Sequence, residues 1–178
     1  MTITAGRTDL LVTTRPTNDN DAVFLFELYA STREDGLAAT GWSAFSGLAS
    51  VHMQAHAEDD QLDSSHPDLD RQTVYVDSVR AGRILVDRTC TSMRLVDLSL
   101  LPQWRGHGIG TQLLAELLSE AKAANLPVHL EVVKTNPSIR LYERLGFGDL
   151  VDCGMRWRLT WTPPSHKRVT WDFNGPCN

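Results

Sequence analysis

A chain of 178 residues suits one compact domain and is short for two of ordinary size. Apolar residues make up 42% and charged residues 22%, a globular composition, and no run nears the roughly 18 uninterrupted apolar residues of a membrane span. A formal charge of -5 and a pI near 5.6 argue against a nucleic-acid partner, which needs a basic face, and favour a cationic one.

The first residues, MTITAGRTDLLVTTRP, lack a basic start followed by a long apolar core, so a cytoplasmic protein without membrane association is expected. Cys90, Cys153 and Cys177 are widely spaced and form no CxxC pair. That spacing argues against a disulfide framework or zinc ribbon and fits a reducing compartment.

In chain order, Leu10 to Thr14 reads as a short strand closed by Arg15-Pro16. Residues 17–21 offer several helix N-caps, and Ala22 to Thr32 reads as a helix. Ser43 to Ala57 is expected to be a second helix, broken near Gly47, and AEDDQLDSSHPDLDR an exposed acidic loop. TVYVD and GRILVD, separated by SVRA, predict a hairpin, and MRLVDLSLL a third strand ended by Pro102. After QWRGHGIG comes a helix in which Ile109, Leu113, Leu114, Leu117, Leu118 and Ala121 recur at helical spacing. Asn125 and Pro127 end it. VHLEVV is the next strand. NPSIRLYERLGF is a short helix with Pro137 in its first turn and Gly146 just past its end. Met155 to Trp161 alternates as the last strand, and residues 162–178 read as a tail. This order predicts one α/β domain over 1–178, its core about 10–161, built on a mixed sheet.

The chemistry concentrates between Val96 and Ala121. Gly106, His107, Gly108, Ile109 and Gly110 join a strand end to a helix start. There the glycines leave the backbone bare, and the first helical amides lack internal partners. With the helix dipole this makes a site for a phosphate or pyrophosphate, to which Arg105 can add charge-assisted bonds. A Walker loop is excluded because Thr111-Gln112, not Lys-Ser or Lys-Thr, follows Gly110. A dinucleotide fingerprint is excluded because the spacing is GxGxG.

Together with NPSIRLYERLGF about 30 residues on, the segment from about Leu95 to Phe147 resembles the Gcn5-related N-acetyltransferase (GNAT) family. Gln103, Gly106 and Gly108 match its pyrophosphate pattern, the register that the spacing from the strand favours, and a second register starts at Arg105. Asn136, Tyr142, Gly146 and Phe147 match its later helix. The resemblance implies the GNAT α/β fold, with a mostly antiparallel sheet whose strand before the loop splays from its neighbour. It implies acetyl-coenzyme A as co-substrate and transfer of the acetyl group to a primary amine by direct attack. The backbone of Leu98 and Leu100 would pair with the pantetheine arm, and the amides from Gly106 to Thr111 would take the pyrophosphate. Asn136 would bond that arm or hold the following loop, and a strand amide at Leu98 would stabilise the oxyanion. Tyr142 would be the acid that protonates the leaving thiolate, since a phenol is protonated at neutral pH.

A lysine-like amine is almost wholly protonated at pH 7, so a base is wanted. By strand alternation the substrate-facing positions are Arg94, Val96 and Leu98, none of them a base, with Asp97 on the opposite face. Glu34 and Asp35 sit where the family's first helices border the acceptor site, so either could be the base or a cation anchor; Glu34 is taken as the candidate, and a water relay is the third route. His52 and His56 have no accompanying third ligand, so no metal is expected. His107 is expected to face solvent and Trp104 to pack. A small-molecule amine is the expected acceptor. The alternatives are a protein lysine or N-terminus, and a non-catalytic acyl-coenzyme A sensor. A homodimer could form through an exposed last strand and the tail.

Overall fold

The alternating runs become seven strands of one sheet: β1 (Val12–Pro16), β2 (Leu69–Val76), β3 (Val79–Arg88), β4 (Met93–Leu100), β5 (Val128–Val133), β6 (Gly148–Cys153) and β7 (Arg156–Trp161). The helices are α1 (Ala22–Ala38), α2 (Ile109–Ala124) and α3 (Ile139–Arg144). This computed structural model describes residues 10–38, 62, 64–66 and 68–164, with the backbone alone for 33–38. The expected helix at Ser43 to Ala57 and the end of the tail lie outside the described residues.

The strand order is β1-β2-β3-β4-β5-β7-β6, antiparallel throughout except for β4 beside β5. The α2 connection between those two strands is the crossover that a parallel pair requires. One sheet face buries Val74, Ile84, Val86, Leu95, Leu130 and Leu159 against Leu113, Leu114, Leu117 and Ala121 of α2, the helical stripe legible in the sequence. Alternate positions, among them Thr73, Tyr75 and Leu85, are buried on the other face, where α1 contributes Phe24, Leu28 and Tyr29. The β2–β3 hairpin turns on Asp77 and Ser78, both at positive φ (48° and 69°), the backbone that a two-residue hairpin of this hand demands.

Asn18 supplies the N-terminal cap. Its side chain accepts from the Asn20 amide at 3.0 Å, and Asp21 Oδ2 accepts from the Asn18 amide at 3.1 Å. Asp21 is fully buried, with Arg80 Nε at 2.8 Å and Thr73 Oγ1 at 3.2 Å. Burial alone would raise its pKa, but the Asn18 amide, Arg80 and Thr73 together hold it below the ordinary carboxylate value of 3.8. A carboxylate depressed in the folded state stabilises fully above its unfolded pKa and less as pH falls through the folded one. The unfolding midpoint of the wild type is therefore expected to drop on acidification below about pH 4, and Asp21→Asn should flatten that drop in a thermal-melt series.

Gly82 lies where β3 crosses the end of β4. A Cβ there would sit 2.1 Å from the Ser99 carbonyl oxygen and 2.7 Å from the Leu100 side chain. Gly82→Ala must push the two strands apart, at about 2 kcal/mol. In a chain of this size that lowers the melting midpoint by roughly 4–8 °C.

Four expectations need correction. The acidic stretch ends in strand, because β2 starts at Leu69, and α1 continues to Ala38 rather than Thr32. The chain after α3 forms a strand of its own, β6, and among the described residues that strand is one edge of the sheet. The last strand, β7, is enclosed between β5 and β6 and so offers no edge for a second copy. Cys90 is free, but Cys153 is disulfide-bonded. Cysteine pairing is set by distance in the fold, which spacing along the chain does not reveal.

Candidate active site

The glycine loop takes two left-handed backbone positions two residues apart. Gly106 (φ 76°) and Gly108 (φ 84°) take the left-handed conformation that a side chain disfavours, and Gly108 is the N-cap of α2. The Arg105 amide donates to the Pro102 carbonyl at 3.2 Å, and the next amide with a partner is Gln112, which donates to Gly108 at 3.0 Å. Between them, the six amides of Gly106, His107, Gly108, Ile109, Gly110 and Thr111 bond no described residue. They stand at the positive end of a 16-residue helix, where anions bind.

The loop opens onto a gap in the sheet. β4 pairs with β5 only at Met93–Val128, Arg94–His129 and Leu95–Leu130, then the two strands part. Each stays bonded to its outer neighbour, β4 to β3 through Leu100 and β5 to β7 through Val133. The Leu101 amide donates to Ala81 of β3 at 2.9 Å. By antiparallel alternation Ser99 and Asp97 point their backbone groups the same way, while Leu98 and Leu100 present theirs to the gap. Arg105 Nε donates to the Leu100 carbonyl at 2.7 Å, so this guanidinium pins the strand end and leaves Leu98 as the open residue. Gly110, in the first turn of α2, faces Leu98 and Leu141, whose side chains would lie 3.8 and 3.7 Å from a Cβ added there.

Tyr142, on α3, packs on the edge of the core close enough to Asp97 to feel its charge, and its placement has a local cause. Gly146 (φ 89°) donates to the Glu143 carbonyl at 3.0 Å and Phe147 to the Tyr142 carbonyl at 3.1 Å, the paired bonds of a Schellman ending. That motif brings its two flanking side chains together. The Tyr142 and Phe147 rings meet edge-on, with centroids 5.8 Å apart. The Tyr–Gly–Phe pattern in the sequence is thus a device that orients the tyrosine. Its phenol bonds no described residue. Burial, and then the nearby Asp97 charge, push its pKa up to about 12.

Asp97 corrects the alternation argument. β3 and β4 pair as Asp87–Arg94 and Val86–Leu95, then as Leu85–Asp97, which leaves Val96 as a bulge. The extra residue reverses the phase. Arg94, Asp97 and Ser99 share the α1 face, whereas Leu95 and Leu98 face the α2 core. Asp97 is therefore on the α1 face of the sheet, with Arg94 and Ser99.

The remaining candidates fall in place as follows. Gln103 is exposed in a one-turn 3-10 helix (Pro102–Trp104). Trp104 packs on the core edge, and its buried indole N–H lacks a partner among the described residues. His107 is exposed, with Nδ1 2.8 Å from the Arg105 carbonyl. The Ile109 side chain is core and that of Thr111 is exposed, so each offers the gap only its amide. Asn136 Oδ1 accepts from the Ser138 amide at 2.9 Å and so holds the turn into α3. Glu34 lies in α1, but its side chain and that of Asp35 are outside the described ones, as are His52 and His56. Among the described residues no cluster of three or more His, Cys, Asp or Glu could hold a metal, and no helix is long and apolar enough to cross a membrane. Reading the sequence assigned no role to Arg83 and Glu131, and placed Arg158 only on a polar strand face with Arg156. Glu131 is the one carboxylate in β5, VHLEVV, whereas Arg83 and Arg158 share their strands with other charges and carry no such signal.

A splayed strand edge leading to a row of free amides defines an acyltransferase that binds an acyl-coenzyme A. Residues 52–147 match the family model described as the acetyltransferase (GNAT) family, more than half of the chain, and the chain belongs to that family. It is an N-acetyltransferase whose co-substrate is acetyl-coenzyme A. Its structure is similar to that of the PaiA N-acetyltransferase of Thermoplasma acidophilum, solved with coenzyme A. The TM-score is 0.67 at 19% identity, covering 85% of this chain and 99% of that one. It is also similar to PH1933 of Pyrococcus horikoshii (TM-score 0.65, 18% identity, 85% and 98% covered) and to Ard1 of Thermoplasma volcanium (0.57, 18%, 85% and 97%). At these identities the likeness is one of fold. Among curated proteins none matches the sequence.

Proposed function

We propose that the chain acetylates the primary amine of a small molecule, by direct attack within a ternary complex. The run of six amides from Gly106 to Thr111 that bond no described residue, at the mouth of the β4–β5 gap, carries the cofactor half of this reading, and the formal charge of -5 favours a small cationic acceptor. A pyrophosphate satisfies such amides, and an extended arm satisfies the open backbone of Leu98 and the Leu100 amide. We read the pyrophosphate motif from Arg105, because its glycines are then Gly108, the left-handed N-cap, and Gly110, the residue facing the gap. Asn136 acts by holding the turn that presents Tyr142. Acetyl-coenzyme A, when bound, supplies the acetyl group as an activated thioester. The Leu98 amide donates to the carbonyl oxygen as charge develops on it. Tyr142, kept protonated by its surroundings, gives its proton to the departing sulfur. Self-association would run through the β6 edge, where Leu150 and Val151 are about half exposed (47% and 50%).

The acceptor class is tested by thiol release from acetyl-coenzyme A with putrescine, an aminoglycoside, glycinamide and lysine-bearing or N-terminally free peptides. Turnover on the small amines with none on the peptides supports the reading. Turnover confined to peptides would replace it with a protein acetyltransferase. Saturable coenzyme A binding without any turnover would leave a sensor.

A further inference from the structure

The two lips of the gap between β4 and β5 carry matching groups. The last paired residues are Leu95 and Leu130. Asp97 stands two residues beyond on β4 and Glu131 one residue beyond on β5. Both lie on the α1 face, Asp97 through the Val96 bulge and Glu131 by alternation with the core residues Leu130 and Val132.

Each carboxylate is held from behind by an arginine on the next strand outward. Arg83 Nε of β3 donates to Asp97 Oδ2 at 2.6 Å, and Ser99 Oγ donates to Oδ1 at 2.9 Å. Arg158 Nε and Nη2 of β7 donate to Glu131 Oε1 at 3.1 and 2.9 Å. The carboxylate side chains are 27% and 21% exposed, reachable yet sheltered enough for their charge to act strongly. Paired strands run about 4.8 Å apart, so the lips start one strand spacing apart and diverge. An arginine behind each carboxylate offsets the repulsion between them.

We propose that Asp97 and Glu131 form a two-sided cradle for the acceptor's ammonium group and receive the protons it sheds. The proposal deepens the acetyltransferase reading, on which it rests, and names the substrate class: an aliphatic amine that is charged at neutral pH, rather than an uncharged arylamine. An ammonium offers three N–H donors and no acceptor, which suits carboxylates on two sides. Asp97 accepts one proton and frees the nitrogen lone pair. The C–N bond forms to the acetyl carbon as the C–S bond breaks, and the sulfur leaves with the electron pair and takes the Tyr142 proton. The new amide nitrogen sheds its second proton to Glu131. Of these two protons one restores Tyr142 and the other passes to solvent. Asp97 and Tyr142 are electrically linked through the gap, since the Asp97 charge is one of the two causes that raise the tyrosine's pKa.

The test measures kcat/KM for putrescine, glycinamide and a lysine peptide at about pH 7 and about pH 9.5, bracketing the approach to a free amine's own pKa. Among the described residues the other charged or titratable groups on or beside this face are Arg83, Arg94, Arg158, Tyr142 and His129. Burial, then Arg94 and Arg158, favour the neutral form of His129. Asp97→Asn should lower kcat/KM about 100-fold near neutrality and Glu131→Gln about 10-fold. Both deficits should shrink at the higher pH, where solution supplies neutral amine. Coenzyme A affinity should be unchanged, and Asp97→Glu should restore part of the rate. The pair Arg83→Gln with Asp97→Asn, which strands no guanidinium, should show the same loss. Unchanged kcat/KM in both single variants, or a pH-independent deficit accompanied by weaker coenzyme A binding, overturns the cradle while the acetyltransferase reading stands. A wild type that binds coenzyme A but acetylates nothing in the panel removes that reading, and the cradle with it.

Discussion

Gly108→Val is expected to weaken coenzyme A binding at least about 100-fold, a loss of roughly 2.7 kcal/mol. Two effects combine. Gly108 sits at φ 84°, ψ -2°, where a side chain costs roughly 1–2 kcal/mol and a branched one more. A branched side chain would also crowd the loop at the N-cap of α2, in the middle of the run of amides that makes the anion site. Gly106→Ala separates the two effects, because Gly106 has φ 76° but nothing lies within 4 Å of its Cβ position. That variant should carry the strain without the obstruction and lose much less affinity. Calorimetric titration of coenzyme A into the three proteins checks this, with circular dichroism confirming that each is folded.

Tyr142→Phe is expected to lower kcat about 100-fold while leaving coenzyme A affinity unchanged. Stability should also change little, because the phenol bonds no described residue and the ring contact with Phe147 remains. The pH profile adds a sharper check. An acid works only while protonated, and Tyr142 stays protonated up to about 12 under the influence of burial and the Asp97 charge. The wild-type kcat should therefore show no decline assignable to this group between neutrality and about pH 10. A basic limb centred near 10 would mean that the phenol is solvated and the proposed surroundings are not in effect.

What was legible in the sequence is what depends on neighbours along the chain. Gly106 to Gly110 declared a bare loop entering a helix because glycine conformation and helix-end chemistry are local. The role of Gly146 and Phe147 was legible for the same reason, since a Schellman ending is written within six residues. The ending of α2 at Asn125, in the left-handed conformation, also follows from its own residue type. Partner strands decided the rest. The Val96 bulge exists because β3 and β4 pair out of phase there, and alternation along β4 alone put Asp97 on the wrong face. The pairs Arg83–Asp97 and Glu131–Arg158 join residues 14 and 27 positions apart, which only the sheet order brings together. β6 escaped notice because its exposed positions show no two-residue alternation, and Asp149 at its start has φ 50°, outside strand geometry.

The most direct test of the central claim is a single assay by mass spectrometry. Acetyl-coenzyme A and a mixture of aliphatic amines are incubated with the wild type and with Gly108→Val. The account expects one or more N-acetylated amines and free coenzyme A, formed in equal amounts by the wild type and by the variant at a small fraction of that rate. Failure of the wild type to bind acetyl-coenzyme A, or equal product from both proteins, would contradict it.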